Sequence, residues 1–131
     1  MCSSDLTMAE ARLGNARLTG AYAWRSLKAA GAPLAFGTDF PVERPDPWAT
    51  WAAAFTRQDA QGQPPGGWRP EEAVSRGEAW WAMTGGAAFA GFAEKKFGSL
   101  QPGQKADFIV VDRDPTSVEP SALRGTQVQE T

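Results

Sequence analysis

The chain has 131 residues, with 13 Lys+Arg against 15 Asp+Glu and a formal net charge of −2. That balance creates no field to draw it to nucleic acid or to an acidic membrane surface, and the length suits one domain. Histidine is absent and Cys2 is the one cysteine. Within this chain these facts exclude a Ser-His-Asp or Cys-His machine, a His-based metal cage and an intramolecular disulfide.

The apolar fraction of 42% divides unevenly, into 23 Ala but only 14 Val, Ile or Leu. Alanine buries little area, so the 7 Phe and 6 Trp must carry much of any core. A core this thin suits a piece that packs against something else. The longest uncharged stretch, 79–93, is too short for a bilayer, which takes about 17–25 residues, and Gly85-Gly86 splits it. No signal-peptide pattern opens the chain, but the start reads as not the native one, so the compartment is left unknown, with the cytoplasm the default expectation.

In chain order, residues 1–7 fit nothing downstream and read as a stray leader or tail. Residues 8–30 read as helix, with a ragged apolar stripe of Leu13, Leu18, Tyr22, Trp24 and Leu27 and a candidate break at Gly14-Asn15. Gly31 and Pro33 stop it. Leu34-Ala35-Phe36-Gly37 is a short apolar run without polar alternation, read as a strand buried on both faces, as in a parallel sheet. Pro41, Pro45 and Pro47 make the following stretch a loop. Asp46 then caps a helix that starts at Pro47, runs to about Thr56 and sets Trp48, Trp51 and Phe55 on one face.

Residues 57–69 form a second loop rich in Gln, Gly and Pro. Pro70 opens a helix to about Met83, with Glu71-Glu72 matching its positive end, and Thr84-Gly85-Gly86 turns it into another over 87–92. Residues 98–107 are loop and turn, and Phe108-Ile109-Val110-Val111 is the best strand. Beyond Pro120 lie one short helix candidate and a polar tail.

Asp39, in Gly37-Thr38-Asp39-Phe40-Pro41-Val42-Glu43, stands at the carboxyl end of the first expected strand. That is where α/β barrels and doubly wound sheets hold their chemistry, although an Asp before Phe-Pro also shapes turns. Trp48, Trp51, Trp80 and Trp81 are expected to pack between helices. Trp68 stands in a Gly/Pro loop and is the candidate substrate contact. Glu43, Arg57 and Asp59 read as solvated or ion-paired loop residues, Asp107 as a turn residue and Lys95-Lys96 as a solvated pair.

The run 34–43, Leu-Ala-Phe-Gly-Thr-Asp-Phe-Pro-Val-Glu, resembles the last barrel strand of the amidohydrolase superfamily. So does the helix around Ala21-Tyr22-Ala23-Trp24-Arg25-Ser26-Leu27. Pro45-Asp46-Pro47-Trp48, Thr56-Arg57 and Gly66-Gly67-Trp68 resemble the insertion after that strand in amidohydrolase family 3, which includes N-substituted formamide deformylase-like proteins. Gly98-Ser99-Leu100, Pro102-Gly103 and Ala106-Asp107, followed by Phe-Ile-Val-Val-Asp, resemble the return into a small β-sandwich. The resemblance spans about Met8 to Arg124.

The resemblance implies an α/β fold: residues 8–97 as the end of a metal-dependent (β/α)8 barrel and 98–131 as the start of a β-sandwich. It implies a hydrolase in which a divalent metal, zinc in most relatives, acidifies a water for attack on an amide-type C–N carbon. Asp39 then serves as metal ligand and catalytic general base and acid. Such a barrel takes about 250 residues, so the chain reads as a C-terminal part that lacks most metal ligands and is inactive alone. Its expected partners are a small-molecule amide-type substrate and the missing N-terminal part, with a homo-oligomer left open. Two other readings stay beside it: a non-catalytic interaction or structural protein, and a complementing half of a split enzyme.

Overall fold

The structure is a computed structural model that describes residues 3–131. Helix α1 covers Ser3–Leu13, ahead of the expected start at Met8, and Met1 and Cys2 lie outside the described residues. A 3₁₀ turn over Asn15–Arg17 follows, and α2 covers Trp24–Ala29. The single helix expected over 8–30 is therefore broken. Gly14, Gly20 and Tyr22 all take positive φ, which no α-helix accommodates, and this outweighs the helix-forming composition between them. Arg17 Nε donates to the Leu13 carbonyl at 2.8 Å, one of the acceptors that the end of α1 leaves open.

Residues 34–37 are extended but form no strand, which corrects the sequence reading. A strand exists through its ladder, and no neighbouring strand reaches this segment among the described residues. Leu34 and Phe36 are half-buried while Ala35 and Gly37 are exposed, so the segment has one covered face rather than two.

Helix α3, Pro47–Thr56, forms where expected. Asp46 Oδ1 accepts from the Trp48 and Ala49 N–H groups at 3.0 and 3.1 Å, and Pro47 supplies the preset first φ. The helix expected over 70–83 is a 3₁₀ turn at Pro70–Glu72, an extended step through Ala73 and Val74, and then α4, Arg76–Met83. The restart has a local cause. Ser75 and Glu78 close a capping box, with Oγ accepting from the Glu78 N–H at 3.2 Å and the carboxylate from the Ser75 N–H at 2.7 Å.

Helix α5 is Gly85–Ala90 and α6 is Pro120–Leu123. Of the strand expected over 108–111 only Val110–Val111 pairs, as β1, antiparallel to β2, Val128–Glu130. The second strand was invisible in a polar tail because an exposed edge strand needs no apolar alternation.

Trp24, Trp48, Trp51, Val74 and Leu123, filled in by Ala52, Ala54 and Ala79, make the main core. The Trp51 indole N–H donates to the Arg76 carbonyl at 2.9 Å, and its ring lies 4.8 Å from that of Trp80. Trp48 and Trp51 are buried as expected. Trp80 and Trp81 remain exposed on one side. No helix among the described residues is long and apolar enough to cross a membrane.

Two contacts seat the extended segment on the helices. The Phe36 N–H donates to the Ala82 carbonyl of α4 at 2.9 Å. The Leu34 carbonyl lies so close to Gly86 in α5 that a Cβ there would meet it at 2.2 Å. Gly86→Ala is expected to destabilise the chain by about 1–3 kcal/mol through this overpacking. Gly77→Ala in α4, where a Cβ meets nothing within 4 Å, is expected to stabilise it by about 0.5 kcal/mol. Urea unfolding midpoints of the two variants check both signs.

Candidate active site

Asp39 ends the extended segment. Its backbone is left-handed, φ 59°, a conformation that Asp adopts more readily than most residues with a Cβ. Its carbonyl accepts from the Val42 N–H at 2.8 Å across a turn that contains the cis Phe40-Pro41 bond. The side chain is exposed, and its carboxylate has no hydrogen-bond partner among the described residues. Phe40 and Val42, 67% and 68% exposed, flank it. At the end of this segment the Asp39 backbone makes the turn and leaves the carboxylate open.

The loop over 57–68 is a closed ring. The Trp68 N–H donates to the Arg57 carbonyl at 2.8 Å, and Arg57 Nε donates to the Trp68 carbonyl at 2.9 Å. Gly67, φ 90°, passes so near the Thr56 carbonyl that a Cβ would meet it at 2.3 Å. Asp59 Oδ1 accepts from the Gln61 and Gln63 N–H groups, both at 2.8 Å, and Gln58 Nε2 donates to the Gly62 and Pro64 carbonyls. Arg124 Nη2 ties the ring to the region after α6 through the Gln58 and Asp59 carbonyls at 3.2 and 2.8 Å. Asp59 is therefore a loop-shaping residue.

Trp68 does not stand open in this loop. It is 6% exposed, packs with Leu18 and Tyr22, and donates its indole N–H to Glu10 at 3.2 Å. What it does show lines a cleft of about 470 Å³ with Glu10, Thr19 and Arg69.

Arg57 is the residue that the sequence reading placed least well. It is 0% exposed, neither solvated nor ion-paired with any described carboxylate. Its guanidinium lies 4.1 Å from the Trp24 ring centre and 5.2 Å from that of Trp68, and Nη1 donates to the Tyr22 carbonyl at 3.2 Å. Nη2 has no partner among the described residues. Burial, and then the charge of Arg69, pull the Arg57 pKa down to about 10, so it stays protonated at neutral pH. The sequence signal was present in the Thr56-Arg57 and Gly66-Gly67-Trp68 pairing, but only the closed loop shows why the two belong together.

On its other side, Trp24 packs against Phe36, with ring centres 5.2 Å apart. Helix α2, which carries Trp24, is itself held by two carboxylates. Glu72 accepts from the Ser26 N–H at 3.0 Å and from its Oγ at 2.5 Å, and these bonds lower its pKa. Glu78 pairs with Lys28 Nζ at 2.7 Å, and that contact, with the bonds from Ser75, holds its carboxyl at about 2.

The amidohydrolase family model matches residues 1–131, and the chain belongs to that family. It is 31% identical to the amidohydrolase YtcJ of Bacillus subtilis over 129 residues, covering 98% of this chain and 24% of that protein. It is 32% identical to the N-substituted formamide deformylase of Arthrobacter pascens over 107 residues, covering 82% of this chain and 19% of that protein. A crystal structure of a metal-dependent hydrolase from Pyrococcus horikoshii superposes with a TM-score of 0.75 at 35% identity, over 89% of this chain and 23% of that one. The chain thus spans about a quarter or less of the length of these relatives.

The carboxyls of Glu72 and Glu78 both titrate lower folded than unfolded. The stability they add is present above their ordinary value of 4.5 and is lost as pH falls, for Glu78 down to about 2. Glu78→Gln is expected to lower the melting temperature at pH 7 and to flatten its fall between pH 4.5 and about 2. Thermal melts across that range check it. An unchanged acid slope contradicts the tie.

Proposed function

We propose that the chain is the C-terminal part of a metal-dependent amidohydrolase that cleaves an amide-type C–N bond, with Asp39 as its contribution to the reaction. The observation that carries the reading is the setting of Asp39. An exposed carboxylate in a left-handed turn ends an extended segment braced on helices, within a chain that matches the family along its whole length. Backbone held in a sparsely populated conformation at the end of a rigid segment is a common setting for a working side chain.

Among the described residues, the donors of this chain do not make up a cation site. There is no histidine, and among the described residues no three His, Cys, Asp or Glu gather around one point. A catalytic divalent ion takes several protein donors, so the ion, zinc on this reading, requires ligands from the rest of the enzyme.

What this chain's own residue does is move a proton. The Asp39 carboxylate takes a proton from the attacking water as its oxygen bonds to the carbonyl carbon. It then passes that proton to the amine nitrogen as the C–N bond breaks. The substrate is a small amide-type molecule, and the N-substituted formamide deformylase relative makes formamides the first compounds to try. Trp68 enters as a substrate contact only through the edge it shows to the cleft beside Arg69.

The remainder of the enzyme is also the proposed cover for the apolar side chains left open around Asp39. Phe40 and Val42 lie beside it, and Trp80, Phe89, Phe92 and Leu100 are exposed elsewhere.

In a full-length enzyme that carries residues 8–131, Asp39→Asn is expected to reduce kcat by about 10²–10⁴-fold and to leave the circular dichroism spectrum unchanged. Amine release from a panel of N-substituted amides and formamides measures it. Undiminished turnover removes Asp39 from the reaction.

A further inference from the structure

We propose that Arg57 is a positioning residue for Asp39, acting through the stack formed by the guanidinium over Trp24 and the tilted ring contact of Trp24 with Phe36. The inference rests on the reading of Asp39 given above and adds a residue to it.

Three observations carry it. First, a fully buried guanidinium is a poor way to fill a core. Nη2 has no acceptor among the described residues, and no described carboxylate forms an ion pair with the guanidinium. An apolar side chain of similar volume avoids both penalties. What the guanidinium supplies instead is geometry. Its planar fork holds the Trp68 carbonyl at 2.9 Å and the Tyr22 carbonyl at 3.2 Å, joining the closure of the 57–68 loop to the start of α2.

Second, the guanidinium carbon lies over the Trp24 ring, 4.1 Å from its centre, so that ring packs against a charged group with fixed bonds of its own. Trp24 meets Phe36 at 5.2 Å. Third, Phe36 is the point at which the extended segment is held: its ring by Trp24, its N–H by the Ala82 carbonyl. Asp39 follows three residues later at the end of the same segment. Among the described residues no strand ladder reaches the segment, and these contacts, with the close packing of the Leu34 carbonyl on Gly86, are what hold it.

The test uses the full-length enzyme carrying this segment, with Arg57→Lys and, as a milder break in the same stack that keeps Arg57, Trp24→Phe. Hydrogen–deuterium exchange reads the coupling without any substrate. Amides of residues 34–39 are expected to exchange about tenfold faster, with the helical amides of α4 unchanged. With an N-substituted formamide as probe, kcat is expected to fall about 10- to 100-fold while KM stays within a few-fold. A purely structural role moves neither the 34–39 amides selectively nor kcat apart from KM. If faster exchange is confined to 57–68, or if kcat is intact in both variants while Asp39→Asn abolishes turnover, the positioning role is overturned and the reading of Asp39 stands. If Asp39→Asn itself keeps full turnover, the site reading falls and Arg57 has nothing there to position.

Discussion

Backbone carbonyls that no helix or sheet can use are gathered by arginine side chains. This chain has short helices, one two-stranded sheet and long irregular connections. Every carbonyl in those connections must find a donor or stay wet. Arg57 takes the Tyr22 and Trp68 carbonyls, Arg69 those of Leu18 and Ala21, and Arg124 those of Gln58 and Asp59. Each bridges stretches far apart in sequence. A guanidinium does this better than an ammonium because its donors leave in fixed directions and its faces remain free to stack on rings. Arg57 uses both properties at once, between Trp24 and Trp68, and so links the loop after α3 to the start of α2.

The same economy holds the segment that carries Asp39. Residues 34–37 have the composition of a buried strand but no ladder among the described residues. Close packing of the Leu34 carbonyl on Gly86, the Phe36 N–H bond to Ala82 and the ring contact with Trp24 take its place. These contacts cover one face and leave the other open, which accounts for the half-buried and exposed alternation. The open face, the flanking Phe40 and Val42, and a chain a quarter or less the length of its relatives belong to one picture. On the function proposed above, the segment supplies a single carboxylate to a site whose other donors come from the rest of the enzyme.

How much was legible in the sequence follows from the range of each interaction. Helix α3 was readable because Asp46 and Pro47 act within a few residues, and α6 was readable from Pro120. The restart of α4 was also local, since Ser75 and Glu78 stand in capping-box order, but the favourable composition of 70–83 concealed it. The interruptions between 14 and 23 follow from positive φ at Gly14, Gly20 and Tyr22, and at Tyr22 no residue preference announces it. Trp68 was misplaced for a related reason. Gly and Pro neighbours suggest an open loop, whereas the ring is pulled inward by Leu18 and Tyr22, some 50 positions away.

By itself, then, the sequence determined the cap of α3, the absence of a histidine metal cage, the family, and the place of Asp39 at the end of an apolar run. All of these are local in the chain or carried by its motifs. Only the tertiary structure decided that Arg57 is a buried node, that Trp68 is packed and that the apolar run is braced by helices. The physical reason is the same for all three. A carbonyl, a ring face or a strand edge is satisfied by whichever donor or surface the fold brings to it, and in this chain those partners lie 11 to about 50 residues away.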